Sequence, residues 1–446
     1  MSNLDRKRSL KAEWSKEKKI SKKKGEKFVF KEQKKVGSQI VKLFKSKVLV
    51  TLCAPPQWGK TGVSLYVSYK LSLKKTNPEN VFFMTAMSDK SWLNQTKGRV
   101  LPMWSGSVFH RNTLHKLKDR ILQLRKEKKD KNILIIVDEC HIANKREFTL
   151  GKLISDVGFN DPDYLLLRNI RILQISATPS NALIDAQDWG SLHERICPRM
   201  SPQYVSFQNF IDEDRLRDTY NLRSLDQSKE YIGEISNGKP MYHLIRSVCN
   251  GPTGSTIYKE VCQNLKGECF RLGLDLIELN MTKTNKEVSR IFKNLEKRPR
   301  KHTLILIKNM LGASKTLCDK YIGSVHESVP NNKGYSSEVQ GLPGRMCGYK
   351  GSKGSKGPKI FCNKTIIENY MTLYNGNFDY ETEDLVWLDS RLKVSGNKIK
   401  SKESYLFLSP EGPSDPQETT DHNTDHNTDY KTDYRIRGYS ETDIPS

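Results

Sequence analysis

Short, nearly pure apolar runs separated by amphipathic stretches limit how this 446-residue chain can fold more than any other feature. VLVTLC (48–53) leads through a Gly/Pro-containing turn into the helical pattern GVSLYVSYKLSLK. NVFFMTAM (80–87) precedes SWLNQTKGRVL, and SVFHR precedes TLHKLKDRILQLRKEKK. NILIIVDEC (132–140) precedes a segment ending in FTLGKLI, and RILQISAT follows at 171–178. Continuous runs of this kind lack the alternation of a half-exposed strand, so both of their faces need covering. Strands so composed and spaced by helices form a parallel sheet with crossover helices. The rhythm fades over 200–238, read as a connector. It returns with MYHLIRSV (241–248), LDLIELN (274–280), TLILIK (303–308), IGSVHES (322–328) and KIFCN (359–363). Two α/β units of similar size are therefore expected, over 28–199 and 239–375.

The ends of the chain differ from this body in charge. Residues 1–27 hold eleven Lys/Arg and four acids with little apolar periodicity, which reads as a disordered basic arm. Residues 376–408 are a short extension, and 409–446 an acidic low-complexity tail with the quasi-repeat DHNT-DHNT-DYKT-DY. The whole chain has 75 Lys+Arg against 51 Asp+Glu, a net +24. From Ser401 onward the balance is four against ten, so the preceding residues carry a net charge near +30. Such a surplus points to a polyanion partner. The acidic tail offers a surface for protein partners. Mean hydropathy is −0.65, and no apolar run approaches the roughly 18–20 residues that a membrane span needs. No apolar segment follows the basic N-terminus as it does in a secretory signal. Nine scattered cysteines without a CxxC argue against a disulfide framework or zinc ribbon and fit a reducing interior. The expectation is a soluble intracellular protein of the cytoplasm or nucleus.

Ala54-Pro55-Pro56-Gln57-Trp58-Gly59-Lys60-Thr61, followed by Gly62, comes directly after the VLVTLC strand and opens a helix. A hydrolysable nucleotide needs such a strand-to-helix loop, whose backbone N–H groups point at phosphate oxygens. It also needs a lysine for the β/γ-phosphates and a hydroxyl for Mg²⁺, which Lys60 and Thr61 supply. Against G-x-x-x-x-G-K-[ST] the first position is Ala54, and taken alone the loop also fits an ordinary turn. The second half of the site is Asp138-Glu139-Cys140-His141, delivered at the carboxyl end of the β run Ile133–Val137. Parallel sheets bind ligands at that end. Asp138 is placed to hold Mg²⁺ through water, and Glu139 to orient or deprotonate an attacking water. The Cys140/His141 spacing is poor for zinc.

AxxxxGKT, then DECH, then Ser176-Ala177-Thr178 at the next strand end resembles the DExH-type superfamily-2 helicases, over about residues 30–375. That resemblance implies two tandem RecA-like parallel-sheet domains with ATP and Mg²⁺ between them. It also implies that Ser176-Ala177-Thr178 couples the nucleotide to nucleic-acid binding. Gln95 matches the L-x-x-Q of the family's first nucleic-acid-contacting segment, and Asn112-Thr113-Leu114 sits where the next belongs. An upstream glutamine that reads adenine is implied, and Gln33 and Gln39 both qualify. Gln340-Gly341-Leu342-Pro343-Gly344-Arg345-Met346-Cys347-Gly348 resembles the family's Q-R-x-G-R-x-x-R segment. It departs from that pattern in two ways: Gln340 stands five residues before Arg345 rather than four, and Gly348 replaces the final arginine. Arg345 is then the finger that stabilises γ-phosphate charge. Lys308, Ser314 and Thr316 fall in the segment that grips one strand. The pattern looks most like compact helicases of large DNA viruses and phages, for which the location becomes the replication site or virion. The activity implied is a nucleic-acid-stimulated ATPase that moves along or unwinds its polymer, DNA in preference to RNA. A non-catalytic nucleic-acid-binding protein that keeps the fold, and the motor subunit of a restriction or packaging assembly, are the two other readings.

Overall fold

The computed structural model describes residues 3–25, 27–140, 149–247, 251–280, 283–308, 317–328, 338–349, 357–379, 392–395 and 398–401. The apolar runs are its strands. In the first half these are β1 (Leu49–Cys53), β2 (Val81–Thr85), β3 (Val108–Phe109), β4 (Leu134–Asp138), β5 (Arg171–Ser176) and β6 (His193–Ile196). They lie in the order β3-β2-β4-β5-β1-β6 with every pair parallel. All residues of β1 and β2 are buried, as continuous apolar strands covered on both faces require.

The register has a functional consequence. Cys53 lies opposite Ser176, and Asp138 lies between Thr85 and Ile175. The carboxyl ends of β1, β4 and β5 therefore finish at one edge of the sheet, and the segments that leave them emerge side by side. Helices α1 (Asn3–Lys23), α2 (Lys31–Leu43), α3 (Lys60–Ser72) and α4 (Lys90–Arg99) belong to this half. Gly37 lets α2 approach α3 closely, since a Cβ there would lie 2.6 Å from the Tyr66 ring.

The second half repeats the plan. β7 (Tyr204–Val205) and β8 (Leu216–Arg217) precede β9 (Tyr242–Arg246), β10 (Asp275–Leu279), β11 (Thr303–Ile307), β12 (Ile322–Glu327), β13 (Gly348–Tyr349) and β14 (Lys359–Phe361). Six of them form a second all-parallel sheet, β10-β11-β9-β12-β14-β8. Two six-stranded parallel sheets with helices make the molecule α/β, with tandem RecA-like domains. Residues 200–238, read as a connector, carry β7, β8 and the helices Phe207–Asp212 and Leu225–Ile235. β8 extends the second sheet, and β7 pairs antiparallel with β13. Two-residue strands show no periodicity, so the sequence pattern does not reveal them.

The basic arm is corrected by the structure: residues 3–23 form α1 and pack onto the first domain. Leu10 is fully buried, and the Trp14 indole stacks on Tyr69 at 4.1 Å and meets Phe28 edge-on at 4.9 Å. Glu13 accepts from the Met103 N–H at 3.3 Å, and Arg6 pairs with Glu79 at 3.7 Å. A few anchors on a charged helix give too sparse an apolar period to read, yet each finds a partner. Arg8, Lys11, Lys18 and Lys22 occupy the opposite, exposed face.

Among the described residues no helix is long and apolar enough to cross a membrane, and the eight described cysteines are free thiols. Of the C-terminal extension the structure describes the antiparallel pair Leu392–Ser395 and Lys398–Ser401 as well as residues 376–379. The acidic tail lies outside the described residues.

If α1 is held by these few anchors, Trp14→Ala will release it. Limited trypsinolysis is expected to cut between Lys16 and Lys24 about tenfold faster than in the wild type, with the main thermal transition little changed.

Candidate active site

The loop between β1 and α3 bends through two positive-φ positions, Gln57 (φ 60°) and Gly59 (φ 93°). Ala54 is not among the positive-φ residues, and its N–H donates to the Ser176 carbonyl at 3.1 Å. It continues the strand into the loop, so the conformation places no demand for glycine there. Ala54 and Trp58 are fully buried beneath the loop. Lys60 Nζ donates to the carbonyls of Ala54 (3.4 Å) and Pro55 (3.3 Å).

Gln33 lies against this loop, whereas Gln39 is exposed on the far side of α2. Its Nε2 donates to Trp58 O at 3.4 Å and its Oε1 accepts from Phe30 N at 3.0 Å. A Cβ at Gly59 or Gly62 would come within 2.0 or 2.2 Å of the Gln33 amide, so these glycines make the room that Gln33 fills. Between the two candidates, the geometry puts Gln33 at the nucleotide loop.

β4 ends in Asp138, and Glu139 follows in the left-handed region at φ 52°. Backbone strain of this kind persists where the surroundings hold it and recurs at active sites. Asp138 is held at both oxygens: Oδ2 accepts from Trp92 Nε1 at 2.8 Å, and Oδ1 from Glu139 N at 3.2 Å. Gln57, Gly59, Lys60, Thr61, Gly62, Asp138 and Glu139 line one cavity of about 560 Å³, which Arg345 enters from the second domain. That volume is in the range of small-molecule sites. The Thr61 hydroxyl and Asp138 carboxylate are hard oxygen donors, the set Mg²⁺ takes beside substrate phosphates.

The electrostatics follow from burial. Desolvation and the Glu139 charge push Asp138 up to about 6, opposed by Trp92 and Lys60. Burial likewise raises Glu139, opposed by Lys60, a hydrogen bond from Gln340, and Arg345. Arg345, 4% exposed, is pulled down to about 10 by burial and by Arg246, while Glu327, Glu139 and Asp89 favour its charge.

The segment that carries Arg345 is braced from behind. Its four-residue helix, Leu342–Arg345, begins with Leu342 N donating to Glu327 Oε2 at 2.7 Å, and Glu327 Oε1 pairs with Arg246 at 3.2 Å. A Cβ at Gly344 would fall 2.0 Å from Val339 O and 3.0 Å from the Pro56 side chain. Only glycine lets this helix reach the nucleotide loop. Gly348 has φ 131°, and a Cβ there would sit 3.2 Å from Gln57 Cβ, so an arginine is strained at that place. The chain instead pairs β13 with β7 and stacks Tyr349 on Phe30 (4.4 Å, 13°).

The strand end after β5 is tied to the second domain. Ser176 Oγ accepts from Thr178 N at 3.0 Å, Gln340 Nε2 donates to Thr178 Oγ1 at 2.8 Å, and Tyr370 OH donates to Ala177 O at 3.1 Å. Gln340 thus bonds both Glu139 and Thr178.

Other residues singled out by the sequence fall elsewhere. Gln95 lies in the wall of the cavity, with Trp92, Thr96 and Arg99 on the same face of α4. Thr113 Oγ1 is engaged with His110, accepting from His110 N at 3.0 Å. Lys308 Nζ lies over the Tyr258 ring at 4.6 Å. His141, Ser314 and Thr316 lie outside the described residues. Trp92, Arg246 and Glu327 are site residues that sequence reasoning missed. An aromatic on an amphipathic helix and charges at strand ends carry no local signal of what they meet.

No protein-family model matches this chain. Uncharacterized protein L594 of Acanthamoeba polyphaga mimivirus is 23% identical over 389 residues, covering 81% of this chain and 93% of that protein. Among solved structures, S. cerevisiae Dbp5 bound to RNA and ADP BeF3 is 16% identical with a TM-score of 0.39, covering 74% of this chain and 83% of that one. Mycobacterium smegmatis helicase Lhr, bound to ssDNA and AMP-PNP, is 11% identical with a TM-score of 0.44, covering 78% and 48%. The ATP-dependent Type ISP restriction-modification enzyme LlaBIII bound to DNA is 12% identical with a TM-score of 0.46, covering 78% and 29%. Similarity at this level leaves the functional reading to the chain's own residues.

Glu338, two residues before Gln340, yields a prediction of its own. Its Oε1 accepts from Asn363 N at 2.6 Å, while Oε2 is buried without a hydrogen-bond partner among the described residues. Burial, with a smaller contribution from Glu327, pushes its carboxyl up to about 7. An unfolded glutamate titrates near 4.3, so the folded state holds the extra proton between these values and stability falls as pH rises through that window. The full cost above pH 7 is about 4 kcal/mol. Glu338→Gln removes it, so the variant is expected to melt higher than wild type at pH 8, with the gap closing as pH falls toward 4.

Proposed function

We propose that the chain is an ATP-dependent nucleic-acid translocase or helicase of the DExH type, similar to those of large DNA viruses, acting on DNA in preference to RNA. The observation that carries this reading is the convergence of Lys60, Glu139 and Arg345, from two domains, on one cavity whose Glu139 is bonded through Gln340 to Thr178. A binding module without turnover has no use for a buried, strained glutamate facing an arginine from the other domain.

In this reading the loop Ala54–Gly62 cradles the phosphates through its N–H groups, and Lys60 neutralises β/γ charge. Thr61 and Asp138 hold Mg²⁺, which supplies charge neutralisation and orients the phosphates. Glu139, its proton affinity raised by burial, orients and deprotonates the attacking water. Arg345 stabilises charge that develops on the transferring phosphoryl group, so turnover depends on the two domains being closed. Gln33 reads the adenine edge. Gln95, which the resemblance assigns to the strand, serves the nucleotide side.

Ser176-Ala177-Thr178 passes the state of the site to the second domain through Gln340 and Tyr370. A single strand lies across both domains, with Lys308, Ser314 and Thr316 on the second. The basic body supplies sequence-independent, salt-sensitive affinity. The acidic tail recruits protein partners.

The test is an ATPase assay with single- and double-stranded DNA and RNA in parallel. Lys60→Ala and Glu139→Gln are expected to lower turnover at least ~100-fold, while nucleic-acid affinity changes less than about threefold. Wild-type turnover that no polynucleotide stimulates would sink the coupling.

A further inference from the structure

Nothing in the roles above explains Trp92. Its ring is 4% exposed and sits in the apolar core, yet its indole N–H is aimed out of that core at the Asp138 carboxylate. An indole has a single donor in a fixed direction, and burying that donor unpaired is costly. Once the ring is packed, the donor's position is set. The 2.8 Å bond to Oδ2 therefore fixes where the carboxylate lies, because Asp χ2 has a broad, shallow preference of its own. The second bond, from Glu139 N to Oδ1 at 3.2 Å, is longer and comes from the strained residue next in the chain. Without the indole, the hydrogen bond to Asp138 that remains among the described residues is that longer contact. Arg99, one helical stretch further along α4, adds a cation that faces Asp138. α4 is thus built as a wall of the nucleotide cavity, and Trp92 is where it grips the carboxylate.

We propose that Trp92 is a positioning residue of the Mg²⁺ site, holding the Asp138 carboxylate in the orientation that receives the Mg²⁺–nucleotide complex. The proposal rests on the reading of Asp138 as the metal-holding carboxylate. Hydrogen-bond partners of metal ligands typically contribute 10–100-fold to metal affinity. The ring itself touches no reacting atom, so its effect should appear as metal-dependent affinity rather than as loss of the nucleotide site.

The experiment is equilibrium binding of a fluorescent ADP (the mant derivative) to the full chain, in Mg²⁺ and in EDTA. It compares wild type, Trp92→Phe, Asp138→Asn and the double variant. Wild type is expected to bind more tightly in Mg²⁺. Trp92→Phe should lose about tenfold of that increment, read as the ratio of affinity in Mg²⁺ to affinity in EDTA, and should lose nothing further of it in the Asp138→Asn background. A full increment in Trp92→Phe, or a loss that persists in the Asp138→Asn background, would overturn the proposal.

Should Trp92→Phe fail to fold, wild type labelled with ¹⁵N-tryptophan keeps the question open to measurement. Of the six indole resonances, the one displaced by Asp138→Asn should also move when Mg²⁺ is added to the ADP complex; a resonance that stays still counts against the proposal. A wild type that gains nothing from Mg²⁺ would remove the metal-site reading itself, and this inference with it.

Discussion

The structure depends first on the parallel register of β1, β4 and β5. In a parallel sheet every strand ends at the same edge, and here the pairing of Cys53 with Ser176 and of Asp138 with Ile175 brings three distant segments onto consecutive strands, with β5 between β4 and β1. The loop after β1, the acids after β4 and the Ser-Ala-Thr after β5 then share a rim. The apolar runs set this register. Each strand is buried on both faces and in contact along its length, so a slip would leave apolar residues uncovered at one end and polar ones buried at the other.

The second constraint is the close approach of the two domains, and glycine makes it possible. Gly344 admits the helix of Arg345 against Pro56, and Gly348 turns the chain past Gln57 into β13. The position where the resemblance noted in the sequence would place an arginine is thus occupied here by backbone that must pass the loop between β1 and α3. The charge next to Arg345 comes instead from Arg246 at the end of β9, joined through Glu327 to the same short helix. A second arginine thus stands behind Arg345, supplied from a different part of the chain.

Burial of opposite charges gives the cavity its character. Asp138, Glu139 and Arg345 are all pushed toward their neutral forms by desolvation; Glu139 and Arg345 favour each other's charge, while Asp138, pushed further by Glu139, is held by Trp92 and Lys60. Buried titratable groups with shifted proton affinities, gathered in one cavity, are the arrangement that functional sites favour. Gln340 bonds both Glu139, where it favours the carboxylate, and Thr178, and so links the two domains.

The α/β class and the two parallel sheets were legible in the sequence because strands buried on both faces write continuous apolar runs. The strand-to-helix loop after β1 and the acids at the end of β4 were legible because their spacing is local, within one turn after a strand. Segments governed by a few long-range contacts were not: α1 read as disordered, since Leu10 and Trp14 are too few to make a period, and β7 and β8 are too short to show one. The packing of Gln33 rather than Gln39 against the loop after β1, the place of Gln95 in the cavity wall, and the bond of Trp92 to Asp138 all depend on which side chains meet across separate elements. Sequence by itself determined what lies along each strand and at its end, because those are properties of neighbours in the chain. Tertiary structure alone decided which ends face one another, because that depends on packing, register and the room a missing Cβ leaves.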